Sequence, residues 1–293
     1  MLKKVTFIIN PIFGINRSPA KIVHWIDDIW KNSGVEYEVL KTGHRSHGIE
    51  LARNAAKSGS DMVVAVGGDG TINEIGQGLI GSQTALGVIP AGSGNGFARN
   101  MDIPLKQKLA IEALLKPQFH KIDVGKINKD YFFNVAGAGL DAVISDMFDG
   151  VKMRGPVPYF VIGVREFFRY HPQNVIIQLP DRKLERAPLL LSFANLPQFG
   201  IGATIAPNAK PDDGLIDVCV LNPVKVGKAL RNLPKLFSGH IDQLPEMEIY
   251  QASKVIIYRK NPQPIHTDGD PHPSDALITV EVLPGAVRLA LPQ

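Results

Sequence analysis

The sequence of 293 residues holds a single cysteine, Cys219. No internal disulfide can form, so nothing points to an oxidising compartment. Cys219 sits in the run LIDVCVL. A thiol in an apolar strand is better read as core than as nucleophile. Long apolar runs are missing too, and no stretch approaches the ~18 residues of a membrane span. The N-terminal MLKKVTFIIN has too short an apolar run for a signal peptide, and no cleavage site follows. The expectation is a cytoplasmic protein that touches membranes at most peripherally. Charge of one sign is scarce: 32 Lys and Arg against 28 Asp and Glu give +4 and a pI near 9.0. That is too weak to argue a nucleic-acid partner, yet compatible with polyanionic ligands or anionic lipid surfaces. His44, His47, His266 and His272 lack metal-ligand spacing and read as solvated loop histidines. No internal repeat, low-complexity segment or long linker is evident.

What remains is an ordinary globular composition, 44% hydrophobic and 20% charged, long enough for one large domain or two ordinary ones. The first third alternates strand and helix patterns. Strands are expected at Val5–Asn10, Val35–Leu40, Asp61–Val66 and Leu86–Pro90. Helices are expected at Ala20–Lys31, His47–Lys57, Thr71–Ile80 and near Leu105–Leu115. This order implies a parallel sheet covered by helices, with ligands beyond the C-terminal ends of its strands. Three unusual loops fall there: Asn10–Gly14, Gly67–Thr71 and Ala91–Gly96.

The pattern changes after about His120. Strand-like runs follow at Ile122–Ile127, Tyr131–Val135, Val175–Leu179, Leu189–Ala194, Leu215–Leu221, Lys254–Tyr258 and Ala276–Leu283. Helices are expected over Ala142–Arg169 and Val226–Phe237. The reading is an α/β domain over residues 1–122 and a mainly β domain over residues 123–293.

Two motifs in the first part suit phosphate. Val66–Glu74 reads VGGDGTINE after a valine-rich strand. Its glycines let the backbone turn and approach a ligand, and a helix N-terminus follows, with Thr71 as its expected cap. Asp69 is placed to serve a metal ion or a transferring phosphoryl group. An ordinary βα turn also favours Gly and Asp. Pro90–Arg99, PAGSGNGFAR, again follows a strand and precedes a helix. Gly92, Gly94 and Gly96 with Ser93 and Asn95 offer N–H groups and a hydroxyl to a nucleotide. The loop is neither a Walker A sequence nor a dinucleotide fingerprint.

With Asn10-Pro11 and Gly14, these loops resemble the diacylglycerol kinase catalytic domain, a family that includes bacterial lipid kinases, sphingosine kinases and ceramide kinases and is distantly similar to NAD kinases. The resemblance runs the length of the chain, through NVAGAGLDA (Asn134–Ala142), PNAKPDDGLIDV (Pro207–Val218) and TDGDP (Thr267–Pro271). It implies a β-sandwich second domain, an active site in the cleft, and an enzyme using ATP and Mg²⁺ to phosphorylate a membrane lipid such as diacylglycerol or a sphingoid or ceramide-like lipid.

Carried over by position, Asn10, Pro11, Gly14, Thr42, Gly67, Gly68, Asp69, Gly70, Thr71, Asn73, Glu74, Gly92, Ser93, Gly94 and Asn95 fall where the family binds ATP. Asp213 with the carbonyls of Lys210 and Leu215 matches a structural Mg²⁺ site; a tight turn without metal is the rival reading. The family's acidic motif is Asp-Gly-Glu, and here it is Asp268-Gly269-Asp270. Asp270 then stands for the catalytic glutamate with one methylene less, with Asp268 assisting. Asp141 either faces a lipid head group or caps a helix. Pro158–Phe168 either lines an acyl pocket or forms a buried helix. Lys152, Arg154, Arg165 and Arg169 beside it are either a membrane-facing rim or a solvated face. The alternatives in function are an NAD kinase-like enzyme and a nucleotide-binding regulatory protein with a lapsed site. The oligomeric state is open, a homodimer included.

Overall fold

The computed structural model describes residues 2–12, 18–149, 169–200 and 202–293. Gly14, Pro158–Phe168, Lys152, Arg154 and Arg165 lie outside them. The chain forms two compact units: Met1–Ile122 with Gly285–Gln293, and Asp123–Pro284.

Unit 1 follows the alternating pattern: β1 Lys4–Ile9, α1 Pro19–Trp30, β2 Glu36–Lys41, α2 His47–Lys57, β3 Met62–Gly67, α3 Asp69–Leu79, β4 Ala85–Pro90, α4 Gly96–Asn100 and α5 Gln107–Ala113. The strands pair in parallel in the order β2-β1-β3-β4. All six residues of β3 and of β4 are buried, which is why both read as unbroken apolar runs. At the sheet edge, β2 alternates toward solvent. Helix α1 buries Ile22, Ile26 and Trp30, one face at helical spacing, and Trp30 meets Phe7 edge-on at 5.2 Å. Because β1 leads outward to β2 and the chain then returns past β1 to β3, the connection reverses between β1 and β3. That reversal opens a crevice at their C-terminal ends.

Two details of the sequence reading change in unit 1. Helix α3 starts at Asp69 with Gly68 as N-cap, so Thr71 lies inside the first turn and caps nothing. The N–H of Ile72 already bonds the Gly68 carbonyl. The second Gly-rich loop runs straight into the short helix α4, before the expected helix α5.

Unit 2 is antiparallel. It begins within β5 Gln118–Ile127 and continues through β6 Asp130–Phe132, β7 Val135–Gly137, α6 Leu140–Asp149, β8 Val175–Gln178, β9 Lys183–Arg186, β10 Leu190–Ala194, β11 Gln198–Gly200 and β12 Ala203–Thr204. After β13 Ile216–Leu221 come α7 Val226–Phe237, β14 Met247–Ala252, β15 Lys254–Arg259, β16 Ile265–Thr267, β17 Asp270–His272 and β18 Leu277–Leu291. One sheet runs β14-β13-β10-β7-β16-β17. A second group pairs β9, β8, β15 and the first part of β18. Their apolar faces share one core that includes Phe193, Val218, Ile177, Ile257 and Val280, giving a sandwich-like unit. Strand β13 is buried on both faces: Ile216, Val218 and Val220 enter that core, while Cys219 and Leu221 enter another beside Leu140 of α6. Burial pushes the Cys219 thiol up, as an inert core thiol requires.

Tyr131–Val135 is not one strand. It breaks into β6 and β7, because the N–H groups of Phe133 and Asn134 turn to the Asp268 carboxylate. The end of β18 also departs from the sequence division. Residues 285–293 group with unit 1, where Arg288 and Leu289 pair in parallel with Ala85 and Leu86 of β4. Among the described residues no helix is long and apolar enough to cross a membrane.

Between β9 and β14, Arg186 donates to both oxygens of Glu248, which also accepts from Asn222 and Tyr250. The Arg186 bond holds the Glu248 carboxyl down at about 2, against its desolvation. A lowered carboxylate stabilises the fold above its unfolded value of 4.5, and that stability fades as pH falls toward 2. The pair is partly open to solvent, which screens it, so Glu248→Gln is expected to cost ~1 kcal/mol at pH 7. In urea unfolding the deficit should narrow steadily between pH 5 and about 2. A deficit constant over that range would show that charge plays no part.

Candidate active site

In unit 1, Asn10 and the two Gly-rich loops come together at the C-terminal ends of β1, β3 and β4. Asn10 ends β1: its N–H bonds the Val66 carbonyl at 3.1 Å and its Nδ2 donates to Thr71 Oγ1 at 3.2 Å. Pro11 follows, exposed. Thr42, just past β2, donates its N–H to Ile9. The Gly-rich loops lie backbone to backbone. Ala91 N–H bonds the Gly67 carbonyl at 2.7 Å, and a Cβ built on Gly92 would stand 2.5 Å from the Gly68 Cα. Only glycine fits at that contact. Asn95 takes a left-handed conformation, φ +50°, and its Oδ1 accepts the Gly92 N–H at 2.8 Å. Arg99 Nε fastens the Gly94 carbonyl at 3.1 Å. Ser93 and Gly70 are exposed, while Thr71 and Asn73 are buried.

Two acidic residues of this region have definite work. The Asp69 carboxylate accepts the N–H groups of Gly96 (3.0 Å) and Phe97 (2.9 Å) at the start of α4, so it ties the first loop to the second. Burial pushes its carboxyl up, opposed by those N–H groups and by the Arg99 charge. Glu74 accepts the N–H groups of Ser46 (2.7 Å) and Gly48 (3.1 Å) at the start of α2. Its carboxylate satisfies that helix end rather than lying open to a ligand.

In unit 2, Asp268-Gly269 forms the two-residue turn of the β16–β17 hairpin, with φ +51° and +86°. Both central residues need positive φ, the type I′ pattern that Asp-Gly favours. The Asp268 carboxylate accepts from Phe133 (2.8 Å), Asn134 (2.8 Å) and Val135 (3.1 Å). It is an anchor for the hairpin, with its oxygens largely spent. Asp270 is the first residue of β17, opposite Thr267, and half-buried. Within the DDG loop, Asp213 Oδ1 accepts the Leu215 N–H at 3.0 Å, and Gly214 donates to Asp123 at 2.7 Å. Lys210 is exposed at the loop's start. Nearby Asp217 is buried; burial, with the Asp213 charge adding and Gln251 opposing, pushes its carboxyl up to about 6.

Asp141 is 5% exposed at the start of α6. Its Oδ1 accepts from Gly139 and Ala142, both at 3.0 Å, and its Oδ2 accepts the Ser192 hydroxyl at 2.6 Å. His266 Nε2 lies 3.5 Å from the same oxygen, and the Gly269 N–H donates to His266 Nδ1 at 3.3 Å. His266 is therefore a buried core histidine, not a solvated one. Ser192, Asp141 and His266 join α6 and β10 to the hairpin turn. Pattern reading had no handle on this link, because Ser192 stands alone in LLLSFAN and His266 among turn residues. His44 lies exposed and His47 half-buried, the two rings stacked at 4.6 Å. Among the described residues no three His, Cys, Asp or Glu side chains gather as a metal cluster.

Residues 4–127 match the diacylglycerol kinase catalytic domain, and residues 134–291 match the YegS C-terminal NAD kinase beta sandwich-like domain. The chain is 32% identical over 275 residues to a probable YegS-like lipid kinase of Chromohalobacter salexigens, covering 90% of this chain and 86% of that one. It is 29% identical over 301 residues to a diacylglycerol kinase of Mycobacterium tuberculosis, covering 99% and 96%. A crystal structure of a Bacillus anthracis diacylglycerol kinase superposes with a TM-score of 0.77 at 20% identity, over 99% of this chain and 97% of that one, a likeness of fold. The two-unit fold, the paired glycine loops and these matches lead to one conclusion: the chain belongs to the family that joins a diacylglycerol kinase catalytic domain to a YegS-type NAD kinase beta sandwich-like domain.

Proposed function

We propose that the protein is an ATP- and Mg²⁺-dependent lipid kinase that transfers the γ-phosphate of ATP to a hydroxyl of a membrane lipid, diacylglycerol or a sphingoid or ceramide-like lipid. The observation that carries this reading is the backbone contact of Gly68 with Gly92 beyond the ends of β3 and β4, in a chain of this family. Two Gly-rich turns meet there with a helix N-terminus, an arrangement that suits phosphate oxygens. Phosphoryl transfer asks the protein for positioning, charge neutralisation and a proton acceptor. In this reading the lipid oxygen forms the new bond to the γ-phosphorus, the bond from that phosphorus to ADP breaks, and the hydroxyl proton passes to Asp270. Asp268, spent on three N–H groups, positions the hairpin rather than taking the proton.

A Mg²⁺ ion would be held by Asp213 with the carbonyls of Lys210 and Leu215. What fits a cation there is the donor set itself, one carboxylate and two backbone carbonyls, all oxygen. Hard oxygen donors suit this ion, which would supply charge neutralisation to the loop.

Incubation of the purified protein with radiolabelled ATP and a panel of lipids in mixed micelles tests the activity; no lipid labelled above background would refute it. Asp270→Asn should lower kcat by ~100- to 10,000-fold and leave ATP affinity nearly intact, while Asp270→Glu keeps activity. Wild-type turnover in Asp270→Asn would remove Asp270 from the role.

Gly92→Ala should cost ~1–3 kcal/mol and weaken ATP binding by calorimetry, since its Cβ meets backbone. Gly70→Ala should keep or slightly raise the melting temperature, because no neighbouring atom stands within 4 Å of its Cβ and alanine favours the helix. Unchanged stability in Gly92→Ala would show that the loops can part freely.

Asp213→Ala should lower the melting temperature in Mg²⁺, and the deficit should shrink in EDTA. Equal deficits in the two buffers would mark a plain turn.

A further inference from the structure

Helix α7 turns apolar side chains outward. None of its residues, VGKALRNLPKLF, is buried. Leu230 is 57% exposed and Phe237 55%, with Pro234 exposed between them. Residues 230, 234 and 237 fall at helical spacing, so they form one outward stripe. The opposite side carries Leu236, which packs beside the Cys219 core with Val224 just before the helix. The stripe is thus not a core face left over; the helix already has its seat.

The charge on the helix is one-sided. Residues 223–240 hold Lys225, Lys228, Arg231 and Lys235 and no Asp or Glu. The chain's net charge is +4, so these four residues account for all of it and the remainder is balanced. Lys228 pairs with Glu246, whereas Lys225, Arg231 and Lys235 form no ion pair with the described residues. An amphipathic helix with Leu and Phe on one side and Lys and Arg on its polar side has the character of an interfacial helix. A second copy of this chain would bring the same cations face to face, since a two-fold contact is self-complementary. Repulsion disfavours that occupant and complementarity favours an anionic one.

We propose that α7 is a membrane-docking surface that lays Leu230, Pro234 and Phe237 into the headgroup boundary of an anionic phospholipid bilayer while Lys225, Arg231 and Lys235 meet its phosphates. The proposal deepens the lipid-kinase reading and rests on it for its purpose, which is delivery of the enzyme to the surface that holds its substrate.

Co-sedimentation with vesicles tests it, using phosphatidylcholine alone and phosphatidylcholine mixed with phosphatidylglycerol. Wild type should bind the mixed vesicles, bind the neutral ones far less, and release in high salt. Arg231→Glu with Lys235→Glu should weaken binding ~25-fold or more, taking about fivefold for each basic residue near the surface. Leu230→Ser with Phe237→Ser should weaken it at least ~10-fold. All four positions are on the unburied helix, so the variants should keep the wild-type melting temperature. Turnover of a short-chain, water-soluble lipid alcohol should stay at the wild-type rate in each variant. Vesicle binding equal to wild type in both double variants would overturn the proposal. So would a wild-type dimer in sedimentation velocity that these variants dissociate, or binding through α7 to polyglutamate without binding to anionic vesicles. If no lipid is phosphorylated yet vesicle binding falls with the variants, docking stands and the kinase reading fails.

Discussion

Irregular backbone at a ligand site leaves N–H groups without partners, and each must find an acceptor or water. In this protein acidic side chains supply the acceptors at nearly every motif. Asp268 takes three successive N–H groups, Asp69 takes two at the start of α4, Glu74 two at the start of α2, and Asp141 two beside α6. The same residues that look like catalytic acids in the sequence therefore hold the loops in shape. A hydrogen bond from a buried N–H that loses its acceptor costs ~1–3 kcal/mol, so the loops depend on these carboxylates.

That constraint accounts for Asp268 in the Asp268-Gly269-Asp270 motif. Asp268 lies in the turn with its oxygens engaged, whereas Asp270 begins a strand opposite Thr267. A shared type I′ turn fixes both, and one residue's shift in register would reverse their faces. The hairpin is tied inward as well, through Gly269, His266, Asp141 and Ser192. In this buried group Asp141 is fully engaged, while His266 Nε2 stands 3.5 Å from it without a hydrogen bond.

Unit 1 solves a related problem by omission. Its two Gly-rich turns meet because neither Gly68 nor Gly92 carries a Cβ, and the Asp69 carboxylate then locks the second helix onto the first turn. These turns lie at the C-terminal ends of neighbouring parallel strands, β3 and β4. Family membership adds that such a unit joins a YegS-type second domain, and the kinase reading follows from both.

Much of this was legible in order along the chain. Apolar runs dictated β1, β3 and β4, helical spacing dictated α1 and α7, and Gly-rich turns marked the crevice, because each depends on neighbours within a few residues. The break between β6 and β7, the burial of His266, the commitment of Glu74 to α2 and the pairing of residues 288–289 with β4 were not legible. Phe133 meets Asp268 across 135 positions, and no local pattern records such a partner. Local periodicity determines which backbone forms strand or helix. Whether a given carboxylate ends as a structural acceptor or stays available for chemistry was decided only by the tertiary structure, through the N–H groups that distant loops brought within its reach.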